Sequence, residues 1–467
     1  MKNLKVLKEE DIIHLIENDD INRNKYLSKF IKIICNNGYN TVFSLDGAWG
    51  SGKTVFIKKI EMLINYYSFY EAGQKVLSNN YINKKSELSE ESIKILEKIS
   101  ENENYKQIKD LVRLNNLNAI YFNAWEHDDE ADPIVSIIFE IVNKFDLLDS
   151  TKTIGSGNFA SNLKSLVTLL SLGKIDLGAL VKDYDIATNI RLKNEIKTAL
   201  ADTINDIINE NCNKLIIFID ELDRCKPDFA INLLERLNHY ICDDRVIIVL
   251  STNIKELLHA INTKYGNNFS SEKYLDKFID ERLFLPSISL EHYLGTFNTM
   301  IQNENSNWTS IIVTHFIKTF GLEMREINRY IECMGHFEKY INECIPFYKY
   351  LEIINFIFIP YAVGLNTNSP TKFAIFKSGN GYNQLKEFIK SNKLIIKICK
   401  LIFYGDDNEF DDDKMFKDLE NYYNLIFIEK EKNANIKVSN YIIYKDSLEN
   451  FENNISLLGD IAEFYEK

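Results

Sequence analysis

Eight consecutive residues, Gly47-Ala48-Trp49-Gly50-Ser51-Gly52-Lys53-Thr54, match the spacing G-x-x-x-x-G-K-[ST] at every position. The chemistry such a loop could do is the capture of a polyphosphate. Gly47, Gly50 and Gly52 let backbone N–H groups curl inward without Cβ clashes, at the positive end of the helix that follows. Lys53 places a compact charge on the β- and γ-phosphates, and the Thr54 hydroxyl suits Mg²⁺. The nucleotide-contacting set expected from this loop is Gly47, Trp49, Gly50, Ser51, Gly52, Lys53, Thr54 and Val55. A second group, Asp220-Glu221, follows an unbroken apolar run. Asp220 there could hold Mg²⁺, directly or through water, making Thr54 and Asp220 the expected metal set. Glu221 points differently and could polarise an attacking water as general base. In-line attack on a γ-phosphate needs charge stabilisation more than covalent chemistry. The alternative for Glu221 is capping of the next helix. Asn253 or its neighbour Thr252, ending a further apolar run, could sense the γ-phosphate or orient the water. Asn253 could equally be the N-cap before Lys255-Glu256-Leu257. No NKxD-like guanine-reading motif follows, so ATP is expected rather than GTP.

These groups need strands that end where they stand. Five runs rich in β-branched or aromatic residues supply them: Thr41–Asp46, Ala119–Asn123, Lys214–Ile219 ending at Asp220, Arg245–Leu250 ending at Ser251-Thr252-Asn253, and Arg282–Leu285 ending at Pro286. Each leads into polar residues at its C-terminal end, where a parallel sheet of an α/β domain places its ligand. An amphipathic helix carrying Val55, Ile57, Ile60, Leu63 and Ile64 follows the glycine loop. Residues 1–40 read as an N-terminal helical segment, and residues 41–286 as the phosphate-binding domain. That domain carries polar inserts at about 71–118, with the Lys/Glu spacing of solvated helices, and at about 150–185. The second insert, with its glycines around Leu166–Leu172, reads as a surface loop with a short helix; a partner site or a membrane-touching segment is the alternative. Beyond Pro286, spacing such as Ile311, Ile312, His315, Phe316 and Phe320 is helical, and the next strand-like run is Tyr441-Ile442-Ile443-Tyr444. The chain from 287 is therefore expected to be mostly helical.

Composition narrows the class. The 467 residues exceed what one core usually serves, and 45% hydrophobic with 26% charged residues is ordinary for a folded chain. A net charge of −13 argues against a generic nucleic-acid coat. Seven scattered cysteines form no CxxC pair, and no histidine completes a zinc spacing with them. Met1-Lys2-Asn3-Leu4 leads into charge rather than a signal peptide, so reduced thiols and a cytoplasmic location are expected. The longest apolar stretch, Ile345–Leu365, is broken by Lys349, Glu352, Asn355 and Pro360, and reads as a buried helix rather than a membrane span. The acidic run Asp406–Asp413 lacks the glycine and terminal Glu of a calcium loop and reads as a solvated turn.

The combined motifs resemble the KAP family of P-loop NTPases, within the group that has an extra strand between its Walker A and Walker B motifs. The resemblance rests on Gly47–Thr54 with its tryptophan, on Phe122-Asn123-Ala124-Trp125 followed by Pro133, and on Phe218-Ile219-Asp220-Glu221-Leu222-Asp223-Arg224-Cys225-Lys226-Pro227. Tyr265-Gly266, Lys273-Tyr274-Leu275-Asp276-Lys277 and Leu285-Pro286 complete it. It implies a sheet of order 5-1-4-3-2, a helical lid after the last strand, at 287–345, and ATP-driven conformational work, assembly or signalling; the helical spacing beyond the lid reads as a mostly helical C-terminal domain at 346–467. Family members are associated with bacterial defence against phage and with membrane-linked signalling, which implies a protein partner or effector. Arg325 and Arg329 resemble lid arginines that report the γ-phosphate; their alternative is salt bridging on an i,i+4 face. Arg282 stands where related ATPases offer an arginine finger to a neighbouring subunit, which would make a homo-oligomer. Asp223 and Arg224 could pair with each other or tie the Walker B strand to the next helix. Many members carry membrane-spanning helices between Walker A and Walker B, whereas the inserts here are too polar to span a bilayer. The family more often has aspartate where Asn253 stands. No HExxH, PD-x-ExK or G-x-S-x-G pattern is present. A nucleotide-gated binding protein with negligible turnover is the alternative function, and a small-molecule kinase is disfavoured by Glu221.

Overall fold

Five parallel strands form one sheet in the order β2-β3-β4-β1-β5, where β1 is Val42–Asp46, β2 Leu117–Asn123, β3 Lys214–Asp220, β4 Val246–Thr252 and β5 Glu281–Phe284. This is the 5-1-4-3-2 order of a P-loop NTPase, read from the other edge. The structure, a computed structural model, describes residues 8–19, 22–36, 41–70, 90–130, 133–144, 195, 197–198, 200–206, 208–209, 212–241, 243–286, 293, 306–344, 352–405, 411–428, 436–438 and 441–443. The insert at 150–185 lies outside them, as do residues 71–89 of the first insert and parts of the expected lid and C-terminal region.

Parallel register brings the polar strand ends to one edge. Asn123 is opposite Asp220, Asp220 opposite Ser251, and Asp46 opposite Thr252. Alternation then decides which layer each end faces. In β3, Leu215, Ile217 and Ile219 enter one core, while Ile216 and Phe218 enter the other, so Asp220 continues on the Ile216 side. That layer holds the helices Glu9–Asn18, Leu27–Asn36, Lys53–Asn65, Glu90–Ile99 and Glu103–Asn115. The opposite layer holds Pro133–Lys144, Pro227–Tyr240, Ile254–Tyr265 and the buried Leu200, Ile204 and Ile208. Each fully buried Ile or Leu there contributes about 1.5–3 kcal/mol relative to exposure.

The first insert differs from the expectation in two ways. Leu117 and Asn118 belong to β2, and the helices before them are not simply solvated: Leu96, Ile99, Tyr105, Ile108 and Val112 are buried against the N-terminal helices. Apolar residues spaced three and four apart gave each helix one buried stripe, which its many Lys and Glu residues obscured.

The chain divides into two compact units, Met1–Ile288 and Ser289–Lys467. The described part of the second is helical apart from a two-stranded antiparallel pair, Ile436–Val438 with Tyr441–Ile443. Its aromatic core includes Phe316, Tyr330, Tyr361, Phe376 and Tyr423. Gly364 lies so close to Phe316 that an added Cβ would sit 2.6 Å from the ring. Within the apolar stretch noted above, Ile353–Leu365 is almost wholly buried, with Pro360 in the first turn of a helix. Among the described residues no helix is long and apolar enough to cross a membrane. Of the acidic run, Asp411 caps the Asp412–Phe427 helix by accepting from the Asp413 N–H; residues 406–410 lie outside the described set.

Candidate nucleotide site

The glycine loop leaves β1 at Asp46 and enters the helix Lys53–Asn65. Gly50 (φ 82°) and Gly52 (φ 93°) sit in the left-handed region, which glycine adopts without the Cβ penalty. At Gly47 the requirement is space, since an added Cβ would lie 2.9 Å from Ser51 Oγ and 3.4 Å from Lys53 Cγ. Ser51 Oγ is itself buried with no hydrogen-bond partner among the described residues. A cradle that closes to a Cβ and holds an unanswered hydroxyl fits an anion.

Lys53 is buried, and its ammonium folds back to donate to the Gly47 and Ala48 carbonyls, the latter at 3.1 Å. Burial pulls its pKa below the usual lysine value, while the carboxylates of Asp223, Asp220 and Asp46 oppose that shift. Phosphate oxygens would replace two neutral carbonyls with charged acceptors.

Thr54 Oγ1 donates to Asp220 Oδ2 at 2.6 Å, and Tyr121 donates to the same oxygen at 3.2 Å. Asp220 is almost wholly buried. A hydroxyl and a carboxylate meeting at the loop's end are the hard oxygen donors that a small divalent cation takes. Burial, then the negative charge of Asp220, pushes the Tyr121 phenol far above its ordinary pKa, so it stays a donor.

Glu221 breaks from the strand with φ 60° and is half-buried. Its carboxylate lies 3.2 Å from Arg224, whose guanidinium sits over the Trp125 ring at 5.6 Å. It occupies the cap position of the short turn Leu222–Arg224 but makes no side-chain cap bond. Asp223 does not pair with Arg224. Its carboxylate accepts from Trp49 Nε1 and, at 3.0 Å, from Thr252 Oγ1, so one buried acid joins the glycine loop to the end of β4. Trp49→Phe keeps an aromatic side chain, smaller by the pyrrole ring, but removes the donor facing this carboxylate. It is expected to cost about 1–3 kcal/mol of stability, read in thermal denaturation; an unchanged midpoint would mean that Asp223 does not depend on the indole.

Asn253 precedes the helix Ile254–Tyr265 as its N-cap residue, yet its side chain makes no cap bond. The Ile254 N–H is answered by Asp46 Oδ1 at 3.0 Å. The Asn253 side chain is thus not committed to capping. Val55 is half-buried in the first turn of the loop's helix.

Arg282 is not brought to this site. It lies opposite Ser44, two residues short of the strand ends, exposed and ion-paired with Asp276 at 2.6 Å. The strand runs from Glu281 to Phe284, one residue earlier than the run Arg282–Leu285 expected from the sequence, and includes Arg282. Arg325 and Arg329 are exposed on one helix, Met324–Cys344, of the second unit.

Two contributors were not anticipated. Tyr121 could have been found from strand alternation, which puts it on the Asp220 side two residues before Asn123. Arg23, whose Nη1 donates to the Ser51 carbonyl at 2.6 Å, gives no local signal, being 28 residues away in sequence.

Comparison with curated proteins yields no match. The family model described as the KAP family P-loop domain matches residues 23–341, more than half of the chain. With its glycine loop, its Asp220 strand end and its sheet order, the chain belongs to the KAP family of nucleotide-binding P-loop NTPases.

Proposed function

We propose that this chain binds ATP with Mg²⁺ and hydrolyses it, the cycle driving a conformational switch or an assembly that acts on a protein partner. The observation that carries this reading is the contact between Thr54 Oγ1 and Asp220 Oδ2 at the end of a glycine loop, with a second acid, Glu221, one residue on. Thr54 and Asp220 would hold Mg²⁺, which when bound offsets the negative charge of the phosphates. Lys53 would leave the Gly47 and Ala48 carbonyls for the β- and γ-phosphate oxygens. Glu221 would take the proton of the attacking water, and Asn253 would orient that water. For Glu221 to act, its pairing with Arg224 must loosen; that pairing favours a second reading in which nucleotide gates binding and turnover is negligible.

The setting, defence against phage or signalling, is part of the proposal and rests on the family. So do the γ-phosphate roles of Arg282, across a subunit boundary, and of Arg325. Light scattering of Glu221→Gln protein, with and without ATP and Mg²⁺, tests assembly. A nucleotide-dependent rise in mass that Arg282→Ala abolishes is expected; a monomer of constant mass would rule out Arg282 as a finger between copies.

A further inference from the structure

Arg23 is almost wholly buried, although it belongs to the N-terminal segment rather than to the glycine loop or the sheet. The segment is fastened from both sides. Asp19 Oδ1 accepts from the Arg23 N–H at 2.9 Å and the Asn24 N–H at 3.1 Å. Asn24 Nδ2 donates to the Ile16 carbonyl at 2.6 Å. From the loop's own helix, buried Lys59 donates to the Leu15 carbonyl at 2.6 Å and to Asn24 Oδ1 at 3.0 Å. The guanidinium so held donates to Ser51 O and lies 3.1 Å from where a Cβ on Gly52 would be.

A trans peptide is planar, with its C=O and N–H pointing in opposite directions. Fixing the Ser51 carbonyl toward Arg23 therefore turns the Gly52 N–H the other way, into the loop. A charge-assisted bond also polarises that peptide and strengthens its N–H as a donor. A buried positive charge behind the loop adds attraction for an anion in front of it.

We propose that Arg23 is a positioning residue of the phosphate loop: it sets the Ser51–Gly52 peptide for the β-phosphate and makes nucleotide affinity depend on docking of the N-terminal segment. The inference rests on the nucleotide-binding reading above. The test is calorimetric titration of the full chain with ADP and Mg²⁺, plus competition by AMP, for wild type, Arg23→Ala and Arg23→Lys. Expected are a tenfold or greater loss of ADP affinity in Arg23→Ala, a flattened preference for ADP over AMP, and partial recovery in Arg23→Lys. A residue that merely held the fold together would lower the melting temperature without changing the ADP-to-AMP ratio, and that result would overturn the proposal. ADP affinity within twofold of wild type would also overturn it. Should Arg23→Ala not fold, Arg23→Lys and Arg23→Gln decide on the same two criteria. Absence of ADP binding by wild type would instead remove the nucleotide reading on which the proposal stands.

Discussion

Glu221→Gln protein is expected to bind ATP with Mg²⁺ about as tightly as wild type while releasing phosphate at least ~10²-fold more slowly. The amide matches the carboxylate in shape and can still accept from Arg224, which lies 3.2 Å away, so the local fold survives. What is lost is the negative charge that would take a proton from water. Lys53, Thr54 and Asp220 are untouched, which is why binding and turnover should separate. Single-turnover phosphate release beside equilibrium binding reads both. Hydrolysis at the wild-type rate would remove Glu221 from its role and leave it as the counter-ion of Arg224.

The second large effect concerns binding. Lys53→Ala is expected to weaken ATP affinity by ~10²-fold or more, since each charge-assisted bond to a phosphate oxygen contributes about 1.5–3 kcal/mol. The ammonium is already buried and placed, donating to two carbonyls of its own loop, so little ordering is needed when phosphate arrives. Its removal also leaves Asp220, Asp223 and Asp46 with less compensating charge, so titrations belong well below the variant's melting temperature. Affinity within fivefold of wild type would mean that the loop amides alone capture the nucleotide.

Much of this was legible in the sequence because it is local. The glycine spacing, Lys53 and Thr54 lie within one turn and one helix, and the apolar runs before Asp46, Asp220 and Ser251 mark buried strands. Sheet order was available only through family resemblance, since apolar runs do not state their neighbours. What stayed hidden is long-range. Arg23 reaches the loop across 28 residues, and Asp223 reaches Trp49 across 174. Neither spacing carries periodicity. The Asp223-Arg224 dipeptide invited a pairing between neighbours, but Asp223 accepts from Trp49 and Thr252 while Arg224 pairs with Glu221. The helices at 90–115 look solvated in sequence because their charges outnumber the few apolar residues that pack. Arg282 is legible as part of a strand from its apolar neighbours, and the register of that strand sets it opposite Ser44.

On the proposed reading, this loop and its two acids hydrolyse ATP unaided by an acceptor. The most direct test is phosphate release from ATP by the purified wild-type chain, with no other substrate, in Mg²⁺ and in EDTA. Phosphate is expected to accumulate in Mg²⁺, to vanish in EDTA and to fall at least ~10²-fold in Glu221→Gln. Recovery of the bound nucleotide as intact ATP after prolonged incubation in Mg²⁺ would contradict it, leaving a protein that binds nucleotide without spending it.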